Sequence, residues 1–446
     1  MKPHSPGTPY FILSLDGGGS WALNQILALQ QLFGPQVRGH AVLRQFDLVV
    51  ANSGGSITAM ALAKNMPLSE ILNWFVTPEK LRKVFVRVDP FRRLLHKVSG
   101  ATPQYVAARK LEGLRALWQE DLAKHWFAGQ PATADELPVT LNDLHRLFPV
   151  AGPATRKPHF LITTYDYDRD RATFFRSATD SAAQTHVIAD LVSKSTQSKQ
   201  DIVSIPEAVH ASSNAPIKYF DKPAIVSVKH EKSSAVREHR YWDGAVGAYN
   251  NPVMAGLVEA LCNGVPLSDM RVLSIGTGNE FLPLADPTAP GPPSPYCKKS
   301  EIPGPINDIE KISTSILNDP PDAASFTAYT LLHQQFPVRP ENLRLVRMNP
   351  LIQPKLRKSG TRQEWVLPTL NLTDEEFSKL VELELDTTDP QDILLVKKFG
   401  ELWTQNEIPN QPIRADAELQ CLLGHPTFAE ARKAWQTLQP PGHGPA

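Results

Sequence analysis

The sequence has no excess charge of either sign, few cysteines and no long apolar run, and each absence removes a class of protein. Lysine plus arginine number 46 and aspartate plus glutamate 46, a balance that argues against a general nucleic-acid binder, which carries excess base. The three cysteines, Cys262, Cys297 and Cys421, lie far apart. No pair has metal-ligand spacing, so they read as reduced thiols of a cytosolic protein. No apolar run approaches the ~18 residues of a membrane-crossing helix. The first residues, Met-Lys-Pro-His-Ser-Pro, lack the apolar core of a secretory leader. A cytoplasmic location is therefore expected, with contact at a membrane surface left open. Neither a metal nor another cofactor is expected.

What is present suits a sizeable enzyme-like domain. At 446 residues with 41% hydrophobic content, the chain can fill a large core, as one domain with insertions or as two. Its most informative stretch is Phe46-Asp-Leu-Val-Val-Ala-Asn-Ser-Gly-Gly-Ser-Ile57. An apolar, β-branched run reads as a buried parallel strand. It stops at a turn of small residues carrying Ser53, and good helix formers follow. Strand, serine turn, helix is the nucleophile-elbow pattern G-x-S-x-G, with Ala51 at the first glycine position. The bland alternative is a glycine-rich strand-to-helix loop with an incidental serine.

Tyr10–Leu15 predicts a strand that runs into Asp16-Gly-Gly-Gly19 and then a helix from Trp21 to Phe33. The spacing Gly17-x-Gly19-x-x-Ala22 loosely fits a dinucleotide fingerprint, but that pattern wants an acidic residue ending the next strand, where Ser53 stands. The other reading is a set of exposed backbone amides suited to an oxyanion. If the first two strands are neighbours, the glycine loop and the serine turn lie side by side.

Residues 67–150 read as a mostly helical insertion or lid. Within it, 80–97 is basic and apolar, which suits peripheral contact with an anionic membrane through Phe85, Phe91, Leu94 and Leu95. An ordinary solvated face is the alternative. His159–Tyr165 and Ala172–Ser177 predict a hairpin, and 180–203 a polar loop. His210, on a helix from Pro206 to near Asn214, reads as structural. Asp243 ends a strand before a helix entered at Asn251-Pro252. Arg271–Ile275 and Leu343–Met348 predict further strands, 281–305 a proline-rich linker, and Ala323–Gln335 a helix. Thr373 is an N-cap, Ile393–Trp403 is helical, and 440–446 is an unstructured end.

Asp16-Gly-Gly-Gly19, the turn at Ser53 and Asp243-Gly-Ala245, in this order, resemble the patatin-like phospholipase family. Ala211–Pro216, Leu273–Gly278 and Arg347–Pro350 resemble its accompanying segments, and the likeness spans roughly 10–405. The resemblance implies an α/β, patatin-like fold: a mostly parallel central sheet flanked by helices, with the helical insertion at 67–150. The hydrolase domain is expected at 10–408, between a tail at 1–9 and an extension at 409–446. It further implies a lipid acyl hydrolase cleaving carboxylic esters of glycerophospholipids, with Ser53 as nucleophile and Asp243 as its partner. Gly17, Gly18 and Gly19 would form the oxyanion hole, and Gly54 and Trp21 would touch substrate. The rival is a patatin-fold lipid-binding or regulated effector protein, switched on by a ligand or partner. Where the family usually continues x-Arg/Lys-Gly after the glycines, this chain has Ser20-Trp21-Ala22. The indole is expected either to pack inward against the helix after Ser53 or to lean over the acyl site.

Overall fold

The computed structural model describes residues 4–88, 103–128, 136–149, 156–177, 201–216, 219–230, 236–285, 296–298, 304–333, 338–359, 362–384, 386–416 and 421–439. Apolar, β-branched runs form its centre. The first eleven strands in chain order are β1 (Tyr10–Leu15), β2 (Leu48–Ala51), β3 (His159–Asp166), β4 (Arg171–Arg176), β5 (Asp201–Ile202), β6 (Ala224–His230), β7 (Val236–Asp243), β8 (Met270–Ile275), β9 (Asn279–Glu280), β10 (Leu345–Met348) and β11 (Leu351–Ile352). Nine of them make one sheet in the order β10-β8-β1-β2-β3-β7-β6-β5, with β4 paired to β3. The five from β10 to β3 are parallel. The sheet turns antiparallel where β7 meets β3. β1 and β2 are buried along their whole length, as strands covered on both faces must be.

The helices are α1 (Leu23–Phe33), α2 (Gly39–Leu43), α3 (Ser53–Ala63), α4 (Leu68–Val76), α5 (Pro78–Val84), α6 (Ala107–Gln119), α7 (Leu122–Trp126), α8 (Leu141–Leu147), α9 (Ile205–Ser212), α10 (Val253–Cys262), α11 (Pro305–Leu332), α12 (Asp374–Glu382), α13 (Pro390–Thr404) and α14 (Phe428–Leu438). This is the mostly parallel, helix-flanked α/β fold that the motifs imply. α4 to α8 fall inside the 67–150 stretch and are helical as expected. Thr373 caps α12 by accepting from the Glu376 amide.

Some expectations need correcting. The helix expected over Ala323–Gln335 begins at Pro305 instead. Pro320 and Pro321 lie inside it, and the Pro321 carbonyl accepts from Asn251 Nδ2 at 3.2 Å and Ser325 Oγ at 2.9 Å. Phe85 does not face outward: it is buried in edge contact with Tyr105, near Phe220. Phe91, Leu94 and Leu95 lie outside the described residues, as do most of the 180–203 loop, most of the 281–305 linker and the 440–446 end. Beyond the expected domain, Trp435 of α14 stacks on Phe46 and meets Phe11 edge-on, so the last helix shares the core. Among the described residues, no helix is long and apolar enough to cross a membrane.

Candidate active site

Register brings the site together. Leu15 pairs with Ala51 across the parallel β1–β2 ladder, so the glycine loop after β1 and the serine turn after β2 emerge beside each other. β2 pairs Ala51 with Ile162 of β3, and β3 pairs Thr164 with Asp243 of β7. The end of an antiparallel strand therefore arrives at the carboxyl edge of the parallel ones, where open α/β sheets keep their sites.

Ser53 opens α3 with φ 48°. A β-carbon-bearing residue in the left-handed region is strained, and such strain concentrates at functional turns. The turn is held from outside: the Ser53 amide donates to Ser212 Oγ at 3.0 Å. Gly54 has to be glycine, because a Cβ there would stand 2.6 Å from the Gly19 carbonyl oxygen and 2.8 Å from its nitrogen. Gly19 itself has φ 54°. The two glycine-lined strand ends are thus in backbone contact.

Asp243 is 3% exposed. Its Oδ1 accepts from Asn52 Nδ2 and from the Ala245 amide, both at 2.9 Å, and the Ser53 side chain is near enough to favour the ionised carboxylate. Burial raises its pKa above the ordinary carboxylate value. The Ala245, Ser53 and Asn52 hydrogen bonds and the charge of Lys110 act against that. The carboxylate is thereby a stronger proton acceptor than an exposed one.

Asn52 was not singled out by sequence, yet it joins three strand ends. It donates to Asp243 and accepts from Thr163 Oγ1 at 2.7 Å. Its position between the elbow's small residue and its serine was the only available signal. A second unforeseen element lies beneath the glycine loop. Asp16 and Arg347 form a buried ion pair, and Arg347 also donates to Ser274 Oγ at 2.8 Å. Burial pushes Asp16 up to about 6 despite that arginine.

Of the expected oxyanion glycines, Gly17 is corrected: its amide donates to the Asn250 carbonyl at 2.8 Å and so is already engaged. Among the described residues the Gly18 and Gly19 amides have no protein acceptor. Trp21 is corrected as well. It is 4% exposed, meets Phe399 of α13 edge-on with ring centres 6.0 Å apart, and donates from Nε1 to the Glu384 carbonyl at 3.3 Å. It packs inward, as one of the two expectations had it, with Phe399 of α13 against its ring. His210 is buried in α9, and burial holds it neutral well below the usual histidine range.

The family model described as Patatin-like phospholipase matches residues 13–257. The chain belongs to this family. The matched span runs from β1 into α10 and so takes in the glycine loop, the elbow and Asp243, while β8 and β10 complete the patatin-like sheet from beyond it. Membership supports lipid acyl hydrolysis at the level of the family. No curated protein matches the sequence. Among solved structures the chain is similar to VipD from Legionella pneumophila, at 12% identity over 88% of this chain and 67% of that one, with a TM-score of 0.29. It is also similar to ExoU of the Pseudomonas aeruginosa type III secretion system, solved in complex with SpcU, at 18% identity over 47% of this chain and a TM-score of 0.27. The match spans 39% of that ExoU chain.

Proposed function

We propose that this patatin-like protein is a serine esterase of phospholipase A type, working through Ser53 and Asp243 without a histidine. The observation that carries the reading is the placement of a strained-turn serine beside a buried aspartate, which the residue before that serine, Asn52, holds by a 2.9 Å hydrogen bond. Ser53 Oγ attacks the ester carbonyl carbon while its proton passes to Asp243, since an acyl-transfer nucleophile needs a positioned acceptor. The carbonyl π electrons move onto oxygen, where the Gly18 and Gly19 amides donate, helped by the positive end of α3. Collapse expels the alcohol, which takes the proton from Asp243 and leaves an acyl-serine. Water then attacks the acyl carbon, gives a proton to Asp243 and releases the fatty acid, and Ser53 is re-protonated. Removing one oxyanion donor of this kind raises a barrier by ~3 kcal/mol.

Glycerophospholipid is the proposed substrate, with peripheral membrane contact supported by Arg82 and Arg87, which line a cavity of about 360 Å³ with Phe85 and Thr388. Lys80 and Lys83 of the same stretch are paired with Glu120. The second reading, a regulated effector with little basal turnover, is favoured by the absence of a basic residue in the oxyanion loop. Acyl release from mixed phospholipid vesicles by wild type beside Ser53→Ala tests both. Serine-dependent release supports the enzyme. No release, with Ser53 unlabelled by a fluorophosphonate probe, favours the effector.

A further inference from the structure

Lys110 stands on α6, in the helical insertion, and is wholly buried. An ammonium out of water is costly unless groups around it compensate. Here Nζ donates to the Ser213 carbonyl and lies 4.1 Å from the centre of the Phe220 ring. Ser213 directly follows Ser212, whose hydroxyl holds the Ser53 amide. Two buried carboxylates lie near it: Asp243 at the end of β7, whose amide donates at 3.0 Å to the carbonyl of Asn214, the residue after Ser213, and Asp386 on the segment between α12 and α13. That segment is tied to the insertion, because Tyr105 Oη donates to the Asp386 carbonyl at 2.7 Å and Gln104 Nε2 donates to the Glu384 carboxylate.

The other titratable groups facing this cluster do not supply a competing charge. His210 of α9 is held neutral by burial and by Lys110 itself. Burial and neighbouring carboxylates push the Tyr219 phenol far up, so it stays protonated. Arg115 is engaged with Glu207 at 2.9 Å. Glu384 adds negative charge on the Asp386 side. Among the described residues, Lys110 is thus the cation that bears on Asp243.

We propose that Lys110 is a positioning residue of the Ser53–Asp243 pair, reaching it from the helical insertion to keep the Asp243 carboxylate ionised, with Asp386 as its own counter-charge. The proposal rests on the dyad reading above. A buried carboxyl favours its protonated form, and a protonated Asp243 cannot take the serine proton. A nearby positive charge restores the ionised form. Burial alone would discharge Lys110 and protonate Asp386, and each opposes that in the other. Two segments far apart in sequence therefore meet over the dyad to set its charge.

The test is the pH profile of kcat/KM on p-nitrophenyl butyrate, with the pH dependence of Ser53 labelling by a fluorophosphonate as a second readout. Full-length wild type, Lys110→Met, Lys110→Arg, Asp386→Asn and Ser53→Ala are compared. Lys110→Met should move the acid limb up by about one pH unit, a tenfold loss on the acid side. Lys110→Arg should restore most of it, and Asp386→Asn, which removes the counter-charge that keeps Lys110 protonated, should move the limb up as well. A structural role would lower the folded fraction and leave the limb in place. Folded Lys110→Met with the wild-type limb overturns the proposal while the dyad stands. Because removing one member of a buried charge pair is costly, Asp386→Asn decides if Lys110→Met does not fold, and a limb that stays or falls overturns the proposal. Full turnover by Ser53→Ala, or a wild type that the probe leaves unlabelled, overturns the dyad reading, and this proposal with it.

Discussion

The carboxyl edge of the sheet and the cover laid over it are built in opposite ways. At the edge, the parts are adjacent because strand register makes them so: Gly17 and Ser53 each lie two residues beyond the end of a strand, and Asp243 ends one. Their contacts are short, mostly backbone, and dictated by small residues. The cover comes from α6 and the segment before α13, which share no ladder with the sheet. It reaches the site through a buried ammonium, a buried carboxylate and a tyrosine hydroxyl. The edge can hold its geometry by hydrogen bonds alone, whereas the cover depends on charges that are stable only in each other's presence. Chemistry is therefore expected to reside in the edge and its tuning in the cover.

The largest effects should come from the edge. Ser53→Ala is expected to lower ester turnover by at least ~10³-fold, and Asp243→Asn by ~10⁴-fold, since an amide cannot accept the serine proton. The side-chain amide of the Asp243→Asn variant would still offer an oxygen to Asn52 and to the Ala245 N–H, so its thermal melt should stay near that of wild type. Substitution of each histidine in turn is the control. If His210→Gln abolished activity in a folded protein, a conventional triad would replace the dyad.

Trp21 joins the two regions, and its replacement should be the next largest effect, on stability. An arginine here, as the family's usual pattern has it, would add positive charge near the oxyanion. The indole, however, fills the space against Phe399 and anchors the Glu384 carbonyl. Trp21→Arg should thus cost about 3–5 kcal/mol, the scale of losing a buried aromatic. Trp21→Phe, which keeps the edge contact and loses only the N–H, should cost less. Chemical denaturation separates them. A Trp21→Arg protein as stable as wild type and faster on phospholipid would mean that the loop can open to solvent without penalty.

This contrast also marks what could be read in advance. The elbow, the glycine loop and Asp243 were legible because each is a local pattern: a β-branched run halted by small residues, then a helix. Thr373, followed by Glu376, gave its cap away for the same reason. Lys110 sits in a helix of ordinary appearance, with Arg109 before it and Glu112 after it, and nothing local says that it alone is buried. Asp386 precedes a helix whose own cap, Asp389, looks equally plausible as a site residue but only accepts from Gln391 and Asp392 amides. Phe85 among arginines looked amphipathic, and only tertiary packing shows that Tyr105 covers it. Burial of charge is a property of where two distant segments meet.

Asn52 tests the edge more gently. Asn52→Ala removes a donor to Asp243 and leaves the Thr163 hydroxyl without its acceptor, a buried loss of about 1–3 kcal/mol in stability. It should also move the acid limb of kcat/KM upward, since one hydrogen bond to the ionised carboxylate is gone. Thr163→Val should cost stability and leave the limb where it is. If both variants moved the limb equally, Asn52 would act by holding the strands and not by tuning Asp243.

The smallest effect concerns the seam between sheet and insertion, at His40 on α2. Its ring Nε2 donates to the Ala63 carbonyl at 2.8 Å, and it packs against Trp126 and Phe148 from the insertion. Burial lowers its pKa from 6.5 to about 3, with Arg44 and Arg38 adding to that and the Ala63 carbonyl acting against it. The sign follows from proton uptake. Below 6.5 the unfolded chain binds a proton there that the folded one refuses until about 3. Stability is therefore fully present above that upper value and falls as pH drops through the window, by at most ~1.4 kcal/mol per pH unit for this group. His159 and His210 act in the same sense, so wild type should lose stability steeply on mild acidification. His40→Gln, able to keep the bond to Ala63, should be somewhat less stable at neutral pH and show a slope shallower by up to that amount. Urea unfolding at several pH values reads the difference directly. Parallel lines for wild type and variant would mean that water reaches His40, making the seam looser than the edge it joins.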